Sequence, residues 1–264
     1  MSLIGNLFSS TVGRKFLMAV TGIILVGFVI GHLVGNLQVF GHPDKINGYA
    51  QFLHSLGPTL WAVRIGLLLA AVIHIWAAIA LTRTNAQARG AQHYGVNKWI
   101  RAPFASRYMR LTGLVVLAFI VYHLAQFTFG FASSASFKGH LPEYTMTSTF
   151  HVLGFPAVEK GSSVNDVYSM VFYGFQSPVI SLFYILAVGF LTLHLLHGFQ
   201  SVFHSFGWHN ASWAPALRAV TIILCVGFFL GNASMPAAIL SGWLKPSPGT
   251  QVAAHPRVAL GGTP

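Results

Sequence analysis

Acidic side chains are nearly missing from this sequence, which has only four Asp and Glu residues among its 264. All charged residues together make up 7% of the chain, whereas hydrophobic residues make up 54%. A soluble domain needs charges on about 25–35% of its surface, so this composition excludes one. It predicts a membrane protein.

Cysteine is also scarce, since Cys225 is the sole example. One cysteine excludes an intramolecular disulfide and an iron–sulfur cluster held by the cysteines of this chain alone. It also excludes covalent c-type haem, which requires a C-x-x-C-H motif. We interpret Cys225 as a small packing residue.

Long apolar runs dominate what is present. A membrane-spanning helix needs about 20 mostly apolar residues, and five segments meet this: 16–38, 60–82, 111–132, 179–203 and 217–240. The first is too long for the apolar region of a signal peptide and lacks a cleavage site, so we expect it to be retained. The sequence predicts an all-α integral membrane protein, a five-helix bundle within residues 1–245, and a disordered Gly-, Pro- and Ala-rich tail at 246–264.

The net charge of +11 is distributed unevenly along the chain. Basic residues precede the first span, fill the connection between the second and third, and open the fifth, whereas all four acids lie in the other connections. By the positive-inside rule the N-terminus is cytoplasmic and the C-terminus outside, in the inner (cytoplasmic) membrane of the cell. The charge therefore sets topology and does not indicate nucleic acid. The outer segment 133–177 is expected to contain a short helix.

Four histidines interrupt four different spans. A rise of 1.5 Å per residue from the inner charged ends places His32 and His123 about 25 and 20 Å deep, and His74 and His194 about 14 and 15 Å deep. Ionisable groups inside a membrane are costly and usually functional. The four histidines therefore form an outer layer of two and an inner layer of two.

Two imidazoles at one depth suit a haem iron, which takes one axial ligand on each face of the porphyrin. Two layers predict two haems, and double histidine ligation leaves no open position, which favours electron transfer over oxygen chemistry. Four glycines lie near the histidines in the sequence: Gly27, Gly31, Gly35 and Gly198. They would let a flat macrocycle approach the backbone, although small residues also serve helix packing. A proton-conducting histidine chain is the competing function, but no Asp or Glu lies in any span.

Several motifs resemble one family. They are HLVGN at 32–36, INGYAQFLHSLGP at 46–58, RLTG at 110–113 with His123 ten residues after its glycine, and HLLHGFQSVF at 194–203. The chain resembles the cytochrome b membrane subunit of succinate dehydrogenases and fumarate reductases, in the class where one five-helix chain carries two b haems.

The resemblance implies axial ligands and a quinone. His32 and His123 would hold the outer haem, and His74 and His194 the inner one. In the family this last ligand lies four residues before a glycine, which selects His194 over His197. The quinone, expected to be menaquinone, has candidate binding residues in Asn47 and His54, although His54 also suits a helix cap or an interfacial position.

The resemblance also implies partners: a flavoprotein subunit that interconverts succinate and fumarate, and an iron–sulfur subunit on the cytoplasmic face. This chain itself would not perform the succinate–fumarate chemistry and would be the electron-transfer and quinone-reactive subunit. The basic connection 83–110 either contacts the iron–sulfur subunit or only sets topology and meets anionic lipid. One departure is Thr192, where some family members have a glutamate linked to proton movement, so proton compensation by that route is not expected.

Two other functions stay open on the sequence alone. The same histidine pairs would suit a haem-bearing anchor of a hydrogenase or a formate dehydrogenase. A haem-free transporter or assembly protein would also have five apolar spans.

Overall fold

The computed structural model describes residues 3–89, 104–208 and 210–256. Ten helices occur in these ranges: α1 (Leu3–Ser9), α2 (Thr11–Asn36), α3 (Pro43–Ser55), α4 (Pro58–Arg89), α5 (Phe104–Arg107), α6 (Met109–Phe127), α7 (Val167–Gln176), α8 (Pro178–Ser205), α9 (Ala214–Leu240) and α10 (Gln251–Ala254). Four short strands lie between α6 and α7: β1 (Tyr144–Thr145), β2 (Phe150–Val152), β3 (Phe155–Val158) and β4 (Ser163–Val164). Two 3-10 turns occur at Leu37–Phe40 and Ser134–Ser136.

Five helices, α2, α4, α6, α8 and α9, are long and apolar enough to cross a membrane. They carry large exposed apolar side chains, such as Leu68, Leu114 and Ile223 at 64%, 66% and 69% exposure. Such a surface suits hydrocarbon, because helices satisfy their own backbone hydrogen bonds there. The prediction of a helical, multi-pass membrane protein is confirmed.

The third span is shorter than expected, since α6 ends at Phe127 and not at residue 132. The chain turns at Gly130, which has a φ of +76°. A Cβ at this position would lie 2.6 Å from the ring of Phe137, so only glycine fits. The apolar residues after the turn, which the hydropathy pattern had included in the span, leave the helix.

The chain divides into two compact units. The first unit consists of Met1–Ile30, Trp61–Thr112 and Thr192–Val226, and the second of Gly31–Leu60, Gly113–Leu191 and Gly227–Pro264. His74 and His194 belong to the first unit, whereas His32 and His123 belong to the second.

The second unit includes a small folded segment between α6 and α8. β1 pairs with β4, and β2 pairs with β3, both antiparallel. Its core residues are Tyr144, Met146, Val158 and Val164, with Phe52 of α3 and Phe150 packed against them. α7 lies where the sequence predicted a short helix. The two hairpins were not predicted, because strands of two to four residues are too short to show alternation.

Asp44 joins α3 to this segment. Its buried carboxylate accepts hydrogen bonds from Tyr144 Oη (2.9 Å), Thr147 N (2.9 Å), Thr147 Oγ1 (2.6 Å) and Ser148 Oγ (2.7 Å). Burial would raise the pKa of Asp44, but the hydrogen bonds from Thr147, Ser148 and Tyr144 outweigh it and lower the pKa to about 2. Burial and the same carboxylate raise the pKa of Tyr144 to about 12.

The C-terminal segment differs from the expected disorder. The Asp166 carboxylate accepts a hydrogen bond from Gln251 N (2.8 Å), and Ser169 Oγ accepts one from Val252 N (3.0 Å). Val252 is fully buried. Up to residue 256 the structure thus describes a short helix, α10, with contacts to α7, which composition alone does not reveal. Residues 257–264 lie outside the described residues.

The predicted basic connection is described only at its ends. Arg83 lies in α4, Arg107 in α5 and Arg110 in α6. Lys98 and Arg101 lie outside the described residues, and with them the central part of the proposed contact surface for an iron–sulfur subunit.

Candidate functional site

His74 of α4 and His194 of α8 face each other in the first unit. Their ring centroids are 6.4 Å apart, and the ring planes are inclined by 61°. His32 of α2 and His123 of α6 form a second pair in the other unit, with centroids 5.7 Å apart and an angle of 85°. These are the pairs that depth along the helices predicts.

The separation within each pair suits a shared metal. Two imidazoles on opposite sides of one metal, each with its nitrogen about 2 Å from it, have ring centroids about 6 Å apart. The observed distances of 5.7 and 6.4 Å lie on either side of this value.

Each histidine of the His74–His194 pair is hydrogen-bonded to a threonine through its Nδ1 atom. His74 Nδ1 lies 3.2 Å from Thr21 Oγ1, and His194 Nδ1 lies 3.2 Å from Thr112 Oγ1. Each hydroxyl donates its own proton to a main-chain oxygen one turn earlier, that of Leu17 at 2.7 Å and that of Met109 at 3.0 Å. Each threonine can therefore only accept from the imidazole.

A tyrosine has the same relation to the second pair. His123 Nδ1 lies 3.4 Å from Tyr184 Oη, and this hydroxyl donates its proton to Gln126 Oε1 at 2.8 Å. Tyr184 and Gln126 are both buried, at 5% and 1% exposure. The tyrosine oxygen is thus left to accept from His123.

These hydrogen bonds fix the tautomer of three histidines: His74, His123 and His194. Because the hydroxyl protons are committed elsewhere, each Nδ1 carries a proton and each Nε2 has a free lone pair. A histidine that ligates a metal through one nitrogen usually donates its other N–H to a partner of this kind. The arrangement suits ligation through Nε2.

A metal held by protein side chains alone is a poorer fit. Among the described residues, no group of three or more His, Cys, Asp or Glu side chains could hold a metal ion. A porphyrin supplies four nitrogens itself, so two imidazoles suffice for haem. Two imidazoles are therefore a donor set that fits haem.

The glycines near the histidines divide into two groups. A Cβ on Gly27 or Gly31 would meet no atom within 4 Å, so both leave room beside α2. Gly35 instead packs on Tyr49, whose ring would lie 2.6 Å from an added Cβ. The nearest atom to a Cβ on Gly198 is Met109 Cε, at an ordinary 3.8 Å. Gly35 is therefore not suited to a flat group, whereas Gly27, Gly31 and Gly198 remain candidates.

His197 lies one turn from His194 on α8 but has a different environment. Its Nε2 is 3.1 Å from Ser201 Oγ, on the same helix. In the described chain His194, not His197, has the facing imidazole. The choice of His194 over His197 as a ligand, made from the spacing to Gly198, stays a prediction.

The two quinone candidates lie on α3 in unlike environments. Asn47 is fully buried, and its Oδ1 accepts a hydrogen bond from Tyr168 N (2.9 Å) at the start of α7. His54 is exposed, with Nε2 3.3 Å from Lys138 Nζ. Seven residues separate them, which is about 10 Å along a helix. Asn47 has a structural task in this position, and the quinone role of either residue stays a prediction.

Comparison with known proteins adds no relative. No family model, no curated protein and no solved structure matches the chain. The residues themselves, and the motifs that they form, therefore carry the information about function.

Sequence reasoning missed the residues that orient the histidines: Thr21, Thr112, Tyr184 and Gln126. Thr112 lies within the RLTG motif, and Gln126 is a polar residue three positions after His123 in an apolar span. Those two had a signal that could have been used. For Thr21 and Tyr184 the sequence offers none, because the hydrogen bonds cross between helices.

Proposed function

We propose that this chain is the membrane-anchor cytochrome b subunit of a succinate:quinone oxidoreductase and holds two b haems. His32 and His123 would hold the outer one, and His74 and His194 the inner one. When bound, the haems would carry single electrons between an iron–sulfur partner subunit and membrane quinone. The observation that supports the proposal is the pair of neighbouring imidazoles in each unit, with ring centroids 5.7 and 6.4 Å apart, which would allow each pair to hold one haem.

The chain's own residues would perform three tasks. His74, His123 and His194 present Nε2 lone pairs, and together with His32 they would hold the two haems. Thr21, Thr112 and Tyr184 hold the rings in the ligating tautomer. The apolar helices exclude water from the sites, which keeps the reactions to electron transfer.

The choice among haem-bearing anchors depends on the motif resemblance. HLVGN, RLTG and HLLHGFQSVF combine the ligands with their neighbours as in the succinate dehydrogenase and fumarate reductase family. The proposal therefore includes a flavoprotein subunit, an iron–sulfur subunit on the cytoplasmic face, and menaquinone. It also includes a location in the inner membrane with the N-terminus inside, which the distribution of basic residues favours.

The experiment is haem reduction in native membranes that contain this chain with its partners. Succinate should reduce the b haems, and a competitive inhibitor at the flavin site should block this. Formate and hydrogen serve as matched donors. Reduction by formate or hydrogen but not by succinate would assign the chain to another oxidoreductase. The absence of any b-type band would overturn haem binding itself.

A further inference from the structure

Gln126 is an unexpected residue for its place in α6. Its side chain is 1% exposed, within a helix that is otherwise apolar enough to cross a membrane. Its Nε2 has no hydrogen-bond partner among the described residues. A buried amide left half satisfied destabilises a protein, and a leucine would fill similar space without that penalty. Packing therefore does not account for a glutamine here.

The oxygen of the same side chain has a defined partner. Gln126 Oε1 accepts the hydroxyl proton of Tyr184 at 2.8 Å, and Tyr184 Oη lies 3.4 Å from His123 Nδ1. The three groups thus form a chain in which His123 donates to Tyr184 and Tyr184 donates to Gln126. Ligation through Nε2 demands this direction, because Nδ1 must then carry the proton. The amide oxygen of Gln126 is the last acceptor in this chain of hydrogen bonds.

The His74–His194 pair is built differently. There the accepting hydroxyls of Thr21 and Thr112 donate to main-chain oxygens of their own helices. Such an arrangement needs no further side chain. In the described residues, the relay that ends on a buried side-chain amide is found only beside His123.

We propose that Tyr184 and Gln126 form a relay that positions His123 and lowers the reduction potential of the haem held by His32 and His123. This inference rests on the proposed function and deepens it. A hydrogen bond from Nδ1 makes the imidazole a more basic ligand, which stabilises the oxidised iron. Gln126 strengthens that bond, because it keeps the Tyr184 proton directed away from the imidazole.

The relay predicts shifts at one haem only. Tyr184→Phe removes the acceptor for His123, and Gln126→Leu removes the acceptor for Tyr184. Both variants should raise the midpoint potential of that haem, whereas the potential of the other haem stays unchanged. Gln126→Glu keeps an oxygen acceptor in place and should give a potential no higher than that of the unmodified chain.

Tyr122 supplies a matched control. Its ring packs in the same aromatic group, with its centroid 6.1 Å from that of Tyr184 and 5.0 Å from that of Phe183. Tyr122→Phe removes a tyrosine hydroxyl next to the relay without breaking it. Neither haem potential should change in this variant.

The test is a redox titration of the purified complex, followed at the b-type absorption bands, for each variant. Should Gln126→Leu fail to retain the haem, Gln126→Glu carries the comparison with Tyr122→Phe. A raised potential or a lost haem in Gln126→Glu, or unchanged potentials in both Tyr184→Phe and Gln126→Leu, would overturn the relay. In each of those cases the unmodified complex would still show its b-type bands and the proposed function would stand, whereas an unmodified complex without b-type bands would overturn both.

Discussion

The imidazole rings of His74 in α4 and His194 in α8 face each other, with centroids 6.4 Å apart. Each Nδ1 is hydrogen-bonded to a threonine, Thr21 for His74 and Thr112 for His194. The outer edges of both rings are thus engaged. Their Nε2 atoms remain for a ligand, which is the basis of the functional proposal.

The four predicted ligands can be tested one at a time. Alanine in place of His32, His74, His123 or His194 removes one axial bond and should reduce the haem content of the purified complex. His197→Ala is the control, because His197 lies on the same helix as His194 and is bonded to Ser201. It should keep both haems. The reverse pattern, with haem lost from His197→Ala and kept in His194→Ala, would disprove the assignment on α8.

Thr21 and Thr112 are expected to affect ligation indirectly. Thr21→Val and Thr112→Val keep the side-chain shape but remove the acceptor for Nδ1. Loss of such a partner typically weakens metal affinity by about 10–100-fold. Titration of the haem-free chain with haem should show this loss for the site of His74 and His194.

Thr221 provides the control for both substitutions. It is also buried, and its Oγ1 donates to Leu217 O at 2.8 Å, whereas no histidine among the described residues is hydrogen-bonded to it. Thr221→Val should bind haem as the unmodified chain does. Equal affinities for all three variants would show that the threonines do not support the ligands.

Asp44 is expected to stabilise the segment between α6 and α8. Asp44→Asn replaces an acceptor-only carboxylate and should cost about 1–3 kcal/mol for each buried donor left unpaired. Thermal unfolding measures this. Glu143→Gln is the control, since Glu143 is an exposed carboxylate of the same segment, and a surface change is expected to stay within about 0.5 kcal/mol. Equal melting temperatures for both variants would contradict the role of Asp44.

The same carboxylate predicts a pH dependence. Its pKa is about 2 in the folded chain, against about 4 for an unperturbed aspartate. A lowered pKa means that the stabilisation is present above about pH 4 and is lost as the pH falls towards 2. The free energy of unfolding should therefore decline between about pH 5 and pH 2, and this decline should be smaller in Asp44→Asn.

The outer pair should be needed for quinone reduction. His32→Ala and His123→Ala should abolish succinate-dependent quinone reduction, whereas reduction of a soluble artificial acceptor survives, because it can take electrons before they reach this subunit. Both activities are measured on complexes whose assembly has been checked. Normal quinone reduction by an intact complex that lacks the outer haem would place the quinone site on the inner side.

Hydrophobicity and helix rise were sufficient to predict the five spans and to bring His32 with His123 and His74 with His194. The spans and the histidine pairs could be predicted because they depend only on composition and on spacing along the sequence. Thr21 and Tyr184 could not be predicted, because the rotation of each helix decides which side chains meet across it. The folding of residues 251–254 was likewise hidden, since Val252 is buried only by contacts that α7 provides.

The most direct test of the central claim is a reduced-minus-oxidised spectrum of the purified complex, with the ratio of haem to this chain determined chemically. The account predicts b-type bands and two haems per chain, one for each pair of facing histidines. A spectrum without b-type bands, or a ratio of one in the fully assembled complex, would contradict it.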